Sequence, residues 1–167
     1  KNKTPKYGND DDYADDIMVS VFNEYKDYIT GRPTTRGGVY HVDMLPTTCH
    51  VYFGDVMIAT PNGRLAHNPL SEGISPEKGA DINGPTAVVK SCSKMNHCET
   101  GGTLLNQKFT PAAIAGEKGI DNLAALIRSY FAMNGHHMQF NVIDRQTLIE
   151  AQKNPSTPIC VVLIKRS

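Results

Sequence analysis

Between residues 59 and 89 the chain carries Pro61, Gly63, Pro69, Gly73, Pro76, Gly79, Gly84 and Pro85, and this stretch constrains the fold more than any other. Proline lacks an amide donor and glycine costs backbone entropy, so the stretch is neither a helix nor an interior strand. A loop of this length inside a compact domain is either functional or a linker. Composition alone leaves both open.

The 167 residues suffice for one domain with a real core. Lysine plus arginine equals aspartate plus glutamate at 17 each, so no bulk charge favours nucleic acid or an anionic membrane surface. The apolar runs are too short to cross a bilayer and no signal-peptide pattern opens the chain. The first residue is Lys1 rather than Met, as expected of a processed piece or a part of something longer. Cys49, Cys92, Cys98 and Cys160 show no C-x-x-C spacing and read as reduced cytosolic thiols. Cys92, His97 and Cys98 lie close together, but their spacing fits no zinc pattern. They read as small core thiols and a surface histidine, and no metal site is expected.

Taken in order, residues 1–9 read as a loop. Asp10, Asp11 and Asp12 then offer a helix cap and negative charge where the helix dipole favours it; a solvated cap outweighs a cation site. Ile17, Val21, Tyr25 and Tyr28, with Met18, Phe22 and Ile29 beside them, recur at three- and four-residue steps as in the apolar face of an amphipathic helix ending near Thr30-Gly31. Residues 31–46 are irregular. Thr47 to Thr60, with Val51, Tyr52, Phe53, Val56, Met57 and Ile58, reads as a strand bent at Gly54-Asp55.

After the long loop, Thr86 to Met95 reads as a short helix and Thr103 to Phe109 as a strand stopped by Pro111. Asp121 is expected to cap a helix carried by Leu123, Leu126, Ile127, Tyr130 and Phe131 and ended by Asn134-Gly135. His137 to Ile143 alternates as a strand, with His137, Gln139, Asn141 and Ile143 on one face and Met138, Phe140 and Val142 on the other. Asp144 caps a helix closed before Asn154-Pro155, and Pro158 to Lys165 is a last β-prone run. Such alternation of strands and helices predicts an α/β fold with mainly parallel strands.

Familiar catalytic signatures are missing: no G-x-x-x-x-G-K-[ST], no G-x-G-x-x-G, no H-E-x-x-H and no G-x-S-x-G. Adjacent strand residues point to opposite faces, so His136 and His137 do not chelate jointly. The polar row His137, Gln139 and Asn141 is either a solvated strand face or, if covered, the wall of a ligand pocket. Arg64, at the end of the Pro61-Asn62-Gly63 turn, is either an anion clamp or a structural brace.

Several separate stretches carry a family resemblance. Thr60-Pro-Asn-Gly-Arg-Leu-Ala66, Pro69-Leu-Ser-Glu-Gly-Ile-Ser-Pro76, Gly79-Ala-Asp-Ile-Asn-Gly84 and the run from Gly135 to Pro155 resemble the C-terminal third of glycyl radical enzymes of the pyruvate formate-lyase-like superfamily. Gly101-Gly-Thr-Leu-Leu-Asn-Gln-Lys-Phe109 and Tyr7-Gly-Asn-Asp10 are similar to the branch of glycerol, propanediol and hydroxyproline dehydratases and choline trimethylamine-lyase. The resemblance implies the C-terminal part of a ten-stranded α/β barrel, incomplete in this chain. It also implies a parent enzyme that eliminates water or an amine from a small polar substrate such as a diol. That parent carries a glycyl radical, installed by a radical S-adenosylmethionine activating enzyme, and no other cofactor. The expected setting is the cytoplasm, free or within a bacterial microcompartment. On this reading Arg64, His137, Gln139 and Asn141 are the candidate substrate-binding residues.

The chain departs from that family in two places. The catalytic Cys-x-Glu run is missing, and where the family carries Arg-Val-x-Gly-Tyr after the last helix this chain has Ser156-Thr-Pro-Ile-Cys-Val-Val-Leu-Ile-Lys-Arg-Ser167, with no glycine after Gly135. The expected organisation is therefore 1–155 as barrel and 156–167 as a divergent tail in place of the radical loop. No catalytic residue is assigned, and the chain alone is expected to be inactive. Open strand edges predict self-association, as a homodimer or with the missing part. The alternatives are a non-catalytic subunit or binding module that pairs with a separate barrel chain, and an unrelated small α/β ligand-binding domain.

Overall fold

A computed structural model describes residues 4–154 and 162–165; the expectations at 155–161 and 166–167, Cys160 and most of the tail among them, lie outside the described residues. Helix α1 (Asp12–Ile29) starts where the acidic run predicts, the Asp11 carboxylate accepting the Ala14 amide at 3.1 Å. Its packing face is not the expected one. Asp15, Met18, Phe22 and Ile29 turn inward, whereas Ile17, Val21, Tyr25 and Tyr28 are exposed. Asp15 decides this: fully buried, it accepts from Ser91 Oγ at 2.8 Å and Lys94 Nζ at 2.7 Å, and so sets the rotation of the helix.

Thr47–Thr60 is not a strand. Helix α2 (Cys49–Val56) occupies it, following the two-residue strand β1 (Asp43–Met44). A short apolar run suits either state, and tertiary contact settles it here. The Leu70 amide donates to His50 O at 3.0 Å, and Gly54 packs so closely on residues 68–70 that a Cβ would lie 2.4 Å from Asn68 O.

Residues 102–109 are one extended run broken at Leu104. Before the break β2 (Gly102–Thr103) pairs in parallel with β1; after it β3 (Leu105–Phe109) pairs in parallel with β4 (His137–Val142). The long loop causes the break. Its Ile74 amide donates to Leu104 O at 2.9 Å, while Gly73, at φ +56°, passes where a Cβ would sit 2.3 Å from the same oxygen. β5 (Val162–Lys165) is antiparallel to β4. The sheet β3-β4-β5 thus holds one parallel and one antiparallel pair, and with β1-β2 two of the three pairings of the described strands are parallel.

Helices α3 (Pro85–Ser93), α4 (Gly116–Ala132) and α5 (Arg145–Lys153) follow. α5 is capped by Asp144 as predicted, its carboxylate accepting Thr147 N at 2.7 Å. α4 begins five residues before the expected Asp121 cap, because Gly119, with no Cβ, lets the backbone of Ile114 in the preceding 3-10 turn lie against the helix. Its end is the predicted one: Asn134 takes a positive φ, and Gly135 packs against the Tyr130 ring. The core joins Val88, Val89 and Cys92 of α3 to Leu126 and Tyr130 of α4, with Leu105, Met138 and Phe140 from the sheet.

The N-terminal motif Tyr7-Gly-Asn-Asp10 ties down the long loop. Tyr7 Oη donates to Ile74 O at 2.9 Å and Gly8 rests on Pro76. Asn9 donates to Ala80 O at 2.7 Å and accepts the amides of Ile82 and Asn83 at 2.8 and 3.0 Å. Asp10 N donates to Ser91 Oγ at 2.9 Å. The loop is an ordered part of the domain rather than a linker.

Candidate functional site

Alternation along β3 and β4 separates two faces. Leu105, Met138 and Phe140 join the helix-covered core; Asn106, Lys108, Gln139 and Asn141 occupy the other side, with Asn106 beside Gln139 and Lys108 beside Asn141. Asn141 Nδ2 donates to Asn106 Oδ1 at 2.6 Å, and Asn106 Nδ2 donates to Glu72 Oε2 at 2.8 Å. Ser75 completes the group: its hydroxyl accepts Asn106 N at 2.8 Å and donates to Asn106 O at 3.4 Å. The motif Ser71-Glu-Gly-Ile-Ser75 is thereby stitched to the polar face of the sheet.

Glu72, Ser75, Asn106 and Asn141 line a cavity of about 600 Å³ that also receives Lys78, Asp81 and Lys108. Gln107 borders it as well; its Nε2 donates to Pro85 O at 3.3 Å, and its buried Oε1 has no hydrogen-bond partner among the described residues. Both signs of charge and several amide groups meet here. Such a wall is chemically suited to hydrogen-bonding a small polar molecule, and none of its lining residues among those described is a cysteine.

The buried thiol nearest the core supplies no activated nucleophile. Cys92 is fully buried, and burial pushes its pKa up to about 12 despite the Tyr7 hydroxyl 3.0 Å away. Burial likewise raises Tyr7 well above the usual phenol value. His97, expected at the surface, is buried between Thr103 Oγ1 at 2.9 Å and Cys92 O at 3.0 Å, and burial lowers its pKa. It braces α3 against β2. Among the described residues no group of three or more His, Cys, Asp or Glu side chains is arranged to hold a metal ion.

The four expected binding residues fall in different places. Asn141 lies in the cavity wall, and Gln139 lies half-buried on the same face of β4. His137 is buried at the start of β4, in register with Lys165 of β5. Arg64 is buried elsewhere in the loop, donating to the carbonyls of Ile58, Leu65 and Asn68, the last at 2.6 Å. Sequence reasoning did not single out Glu72, Ser75 or Asn106. Alternation gave only a partial signal at Asn106, which shares a strand face with Lys108 while the intervening Gln107 is polar as well; Glu72 and Ser75 had no such signal.

Residues 70–163 match the family described as "Glycine radical", and residues 1–54 match "Pyruvate formate lyase-like". The chain belongs to the glycyl radical enzyme family. It is 69% identical over 154 residues to trans-4-hydroxy-L-proline dehydratase of Clostridioides difficile, covering 92% of this chain and 20% of that protein. A crystal structure of hydroxyproline dehydratase from that organism, with trans-4-hydroxy-L-proline bound, superposes with a TM-score of 0.90 at 69% identity, over 92% of this chain and 20% of that one. The B12-independent glycerol dehydratase of Clostridium butyricum, with glycerol bound, gives 0.86 at 45% identity over the same shares. The chain thus has the fold of one part of a glycyl radical barrel and spans about one fifth of these relatives. Within that part Asp15, from the pyruvate formate lyase-like segment, holds Ser91 and Lys94 of the radical segment. No helix among the described residues is long and apolar enough to cross a membrane.

Proposed function

We propose that this chain is a wall-forming part of a glycyl radical dehydratase or lyase that eliminates water or an amine from a small polar substrate, and that by itself it carries no radical. One observation supports the reading most directly: the motif-bearing loop, held by Tyr7, Asn9 and Asp10, closes onto the polar strand face through Glu72, Ser75 and Asn106, while no glycine follows Gly135 and no Cys-x-Glu run occurs. These 167 residues include neither of these two motifs, and no hydrogen-abstraction step is assigned to them.

In the complete enzyme Asn141 and Gln139, with Glu72 and Asn106 behind them, are the groups that position the hydroxyl or ammonium of the substrate. Arg64 keeps the loop in shape, and His137 supports the start of β4. The activating partner is a radical S-adenosylmethionine enzyme, the setting is the cytoplasm, and the assembly is a homodimer.

Electron paramagnetic resonance after anaerobic incubation with such an activase tests the reading. The expected spectrum of this chain has no glycine-type doublet; a doublet localised to this chain overturns it. A second reading, a non-catalytic subunit that pairs with a separate barrel chain, draws on the apolar row left outside on α1.

A further inference from the structure

Alternation along β3 turns Gln107 away from Asn106 and Asn141, toward the N-terminus of α3. The cavity therefore runs round the edge of β3 into a second recess, walled by Gln107, Gly84 and Pro85 and flanked by Lys78 and Lys108. The first amides of any helix have no partner within it, and α3 leaves its own bare. The cap position is Gly84, at φ +85° and without a side chain, and Pro85 carries no N–H. Neither Thr86 N nor Ala87 N has a hydrogen-bond partner among the described residues. The preceding Asn83 side chain is turned away, donating to Asn9 O at 3.0 Å, and a Cβ on Gly84 would meet nothing within 4 Å.

Gln107 is an independent sign of a ligand here. The residue is 7% exposed, and its Nε2 donates to Pro85 O at 3.3 Å. That bond fixes the amide and leaves Oε1 buried beside the helix end, with no partner among the described residues. A buried acceptor in that state is costly until something donates to it. Lys78 and Lys108 make no ion pair among the described residues. Against them stands the exposed Asp81, since Glu72 is taken up by Asn106. The recess thus calls for negative charge to meet the amides and ammonium groups, and for an O–H to meet Gln107. Sulfate and carboxylates bring the charge without the proton; hydrogenphosphate brings both.

We propose that this recess binds inorganic phosphate as hydrogenphosphate. Two of its oxygens accept from Thr86 N and Ala87 N, Lys78 and Lys108 balance its charge, and its P–O–H donates to Gln107 Oε1. The site lies on the other side of β3 from the groups given to the substrate. It is an effector site rather than a substrate subsite, and it stands whether or not the proposed activity does.

Heteronuclear NMR of the isotope-labelled 167-residue chain tests the site, at neutral pH and constant ionic strength. The ligands are phosphate, sulfate and glycerol phosphate, a monoester whose second pKa of about 6 leaves it largely without a P–O–H. Phosphate should shift the Thr86 and Ala87 amides saturably, and sulfate and the monoester should bind at least about 10-fold more weakly. Gln107→Met removes the acceptor and should bring the three affinities within about twofold of one another. Lys78→Ala, at an exposed loop position, should weaken phosphate about 2- to 5-fold. If Gln107→Met does not fold, the three anions on the wild-type chain and on Lys78→Ala decide alone. Equal affinity for all three on the wild-type chain means an adventitious ion only and overturns the proposal. Tighter binding of the monoester, or no saturable shift with phosphate, overturns it as well.

Discussion

Replacing Asp15 with alanine tests whether the joint between α1 and α3 holds the two family segments together. The carboxylate is fully buried and accepts from Ser91 Oγ at 2.8 Å, Lys94 Nζ at 2.7 Å and Gly8 N at 3.4 Å. Removing one partner of a buried ion pair costs about 3–5 kcal/mol, because the other charge is left uncompensated. Lys94 keeps Asp12 at 2.7 Å, and its side chain is 22% exposed, so water reaches it. The loss therefore falls at the lower end, about 3 kcal/mol. At about 2–4 °C per kcal/mol for a domain of this size, Tm should drop by about 6–12 °C. Asp15→Asn preserves the volume and an acceptor for Ser91, and should lose about 1–2 kcal/mol.

The effect carries a pH signature. Burial by itself would lower the Lys94 pKa, but hydrogen bonds to Asp12 and Asp15 hold it above the ordinary lysine value. A group whose folded pKa is raised adds stability that is complete below its unfolded value and fades as pH rises through the folded one. On the alkaline side the gap between wild type and Asp15→Ala should therefore be full from neutral pH to about pH 10 and narrow above it. Thermal melts followed by circular dichroism across that range measure both quantities. A Tm within about 2 °C of wild type at neutral pH would refute the argument, since it would mean the joint contributes under 1 kcal/mol.

Two further outcomes are expected. Gly73→Ala should cost about 2–4 kcal/mol in urea unfolding, because its positive φ and the Leu104 oxygen 2.3 Å from the new Cβ both oppose the methyl; Gly79→Ala, at φ +76° with nothing within 4 Å, should cost about 1 kcal/mol. Equal losses at the two positions would count against the close approach of the loop to Leu104. Because burial raises the folded Cys92 pKa to about 12, its contribution is complete below the unfolded thiol value of about 8.5 and is lost as pH rises above it. Cys92→Ala should flatten the decline of Tm between about pH 8 and pH 10, and thiol reagents should modify Cys49 and Cys98 in the folded protein well before Cys92.

Local chemistry with a short reach was legible in the sequence. Asp11 and Asp144 announce helix starts because an N-cap needs only a carboxylate three residues from an amide, and Asn134-Gly135 announces a helix end for an equally local reason. The polar row of β4 was legible because strand periodicity survives whatever packs on it. What stayed hidden depends on partners far along the chain. Cys49–Val56 is as apolar as a strand, and it becomes a helix because residues 68–70 close over Gly54. The apolar row of α1 looked like its packing face until a buried Asp15, paired with residues 76 and 79 positions away, turned the helix the other way. The Glu72–Asn106 contact spans 34 positions, and no spacing rule connects a loop carboxylate to a strand amide at that distance.

Ser75 has a consequence for how the sheet can grow. A strand edge offers alternating amides and carbonyls to any extended peptide that drifts past. At Asn106 a single hydroxyl engages both groups, taking the N–H at 2.8 Å and giving its own proton to the C=O at 3.4 Å. A side chain thus stands in for a neighbouring strand, and β3 is closed to recruitment on that flank. An added strand must therefore use another edge, and among the described residues those of β1, β2 and β5 have no second strand beside them.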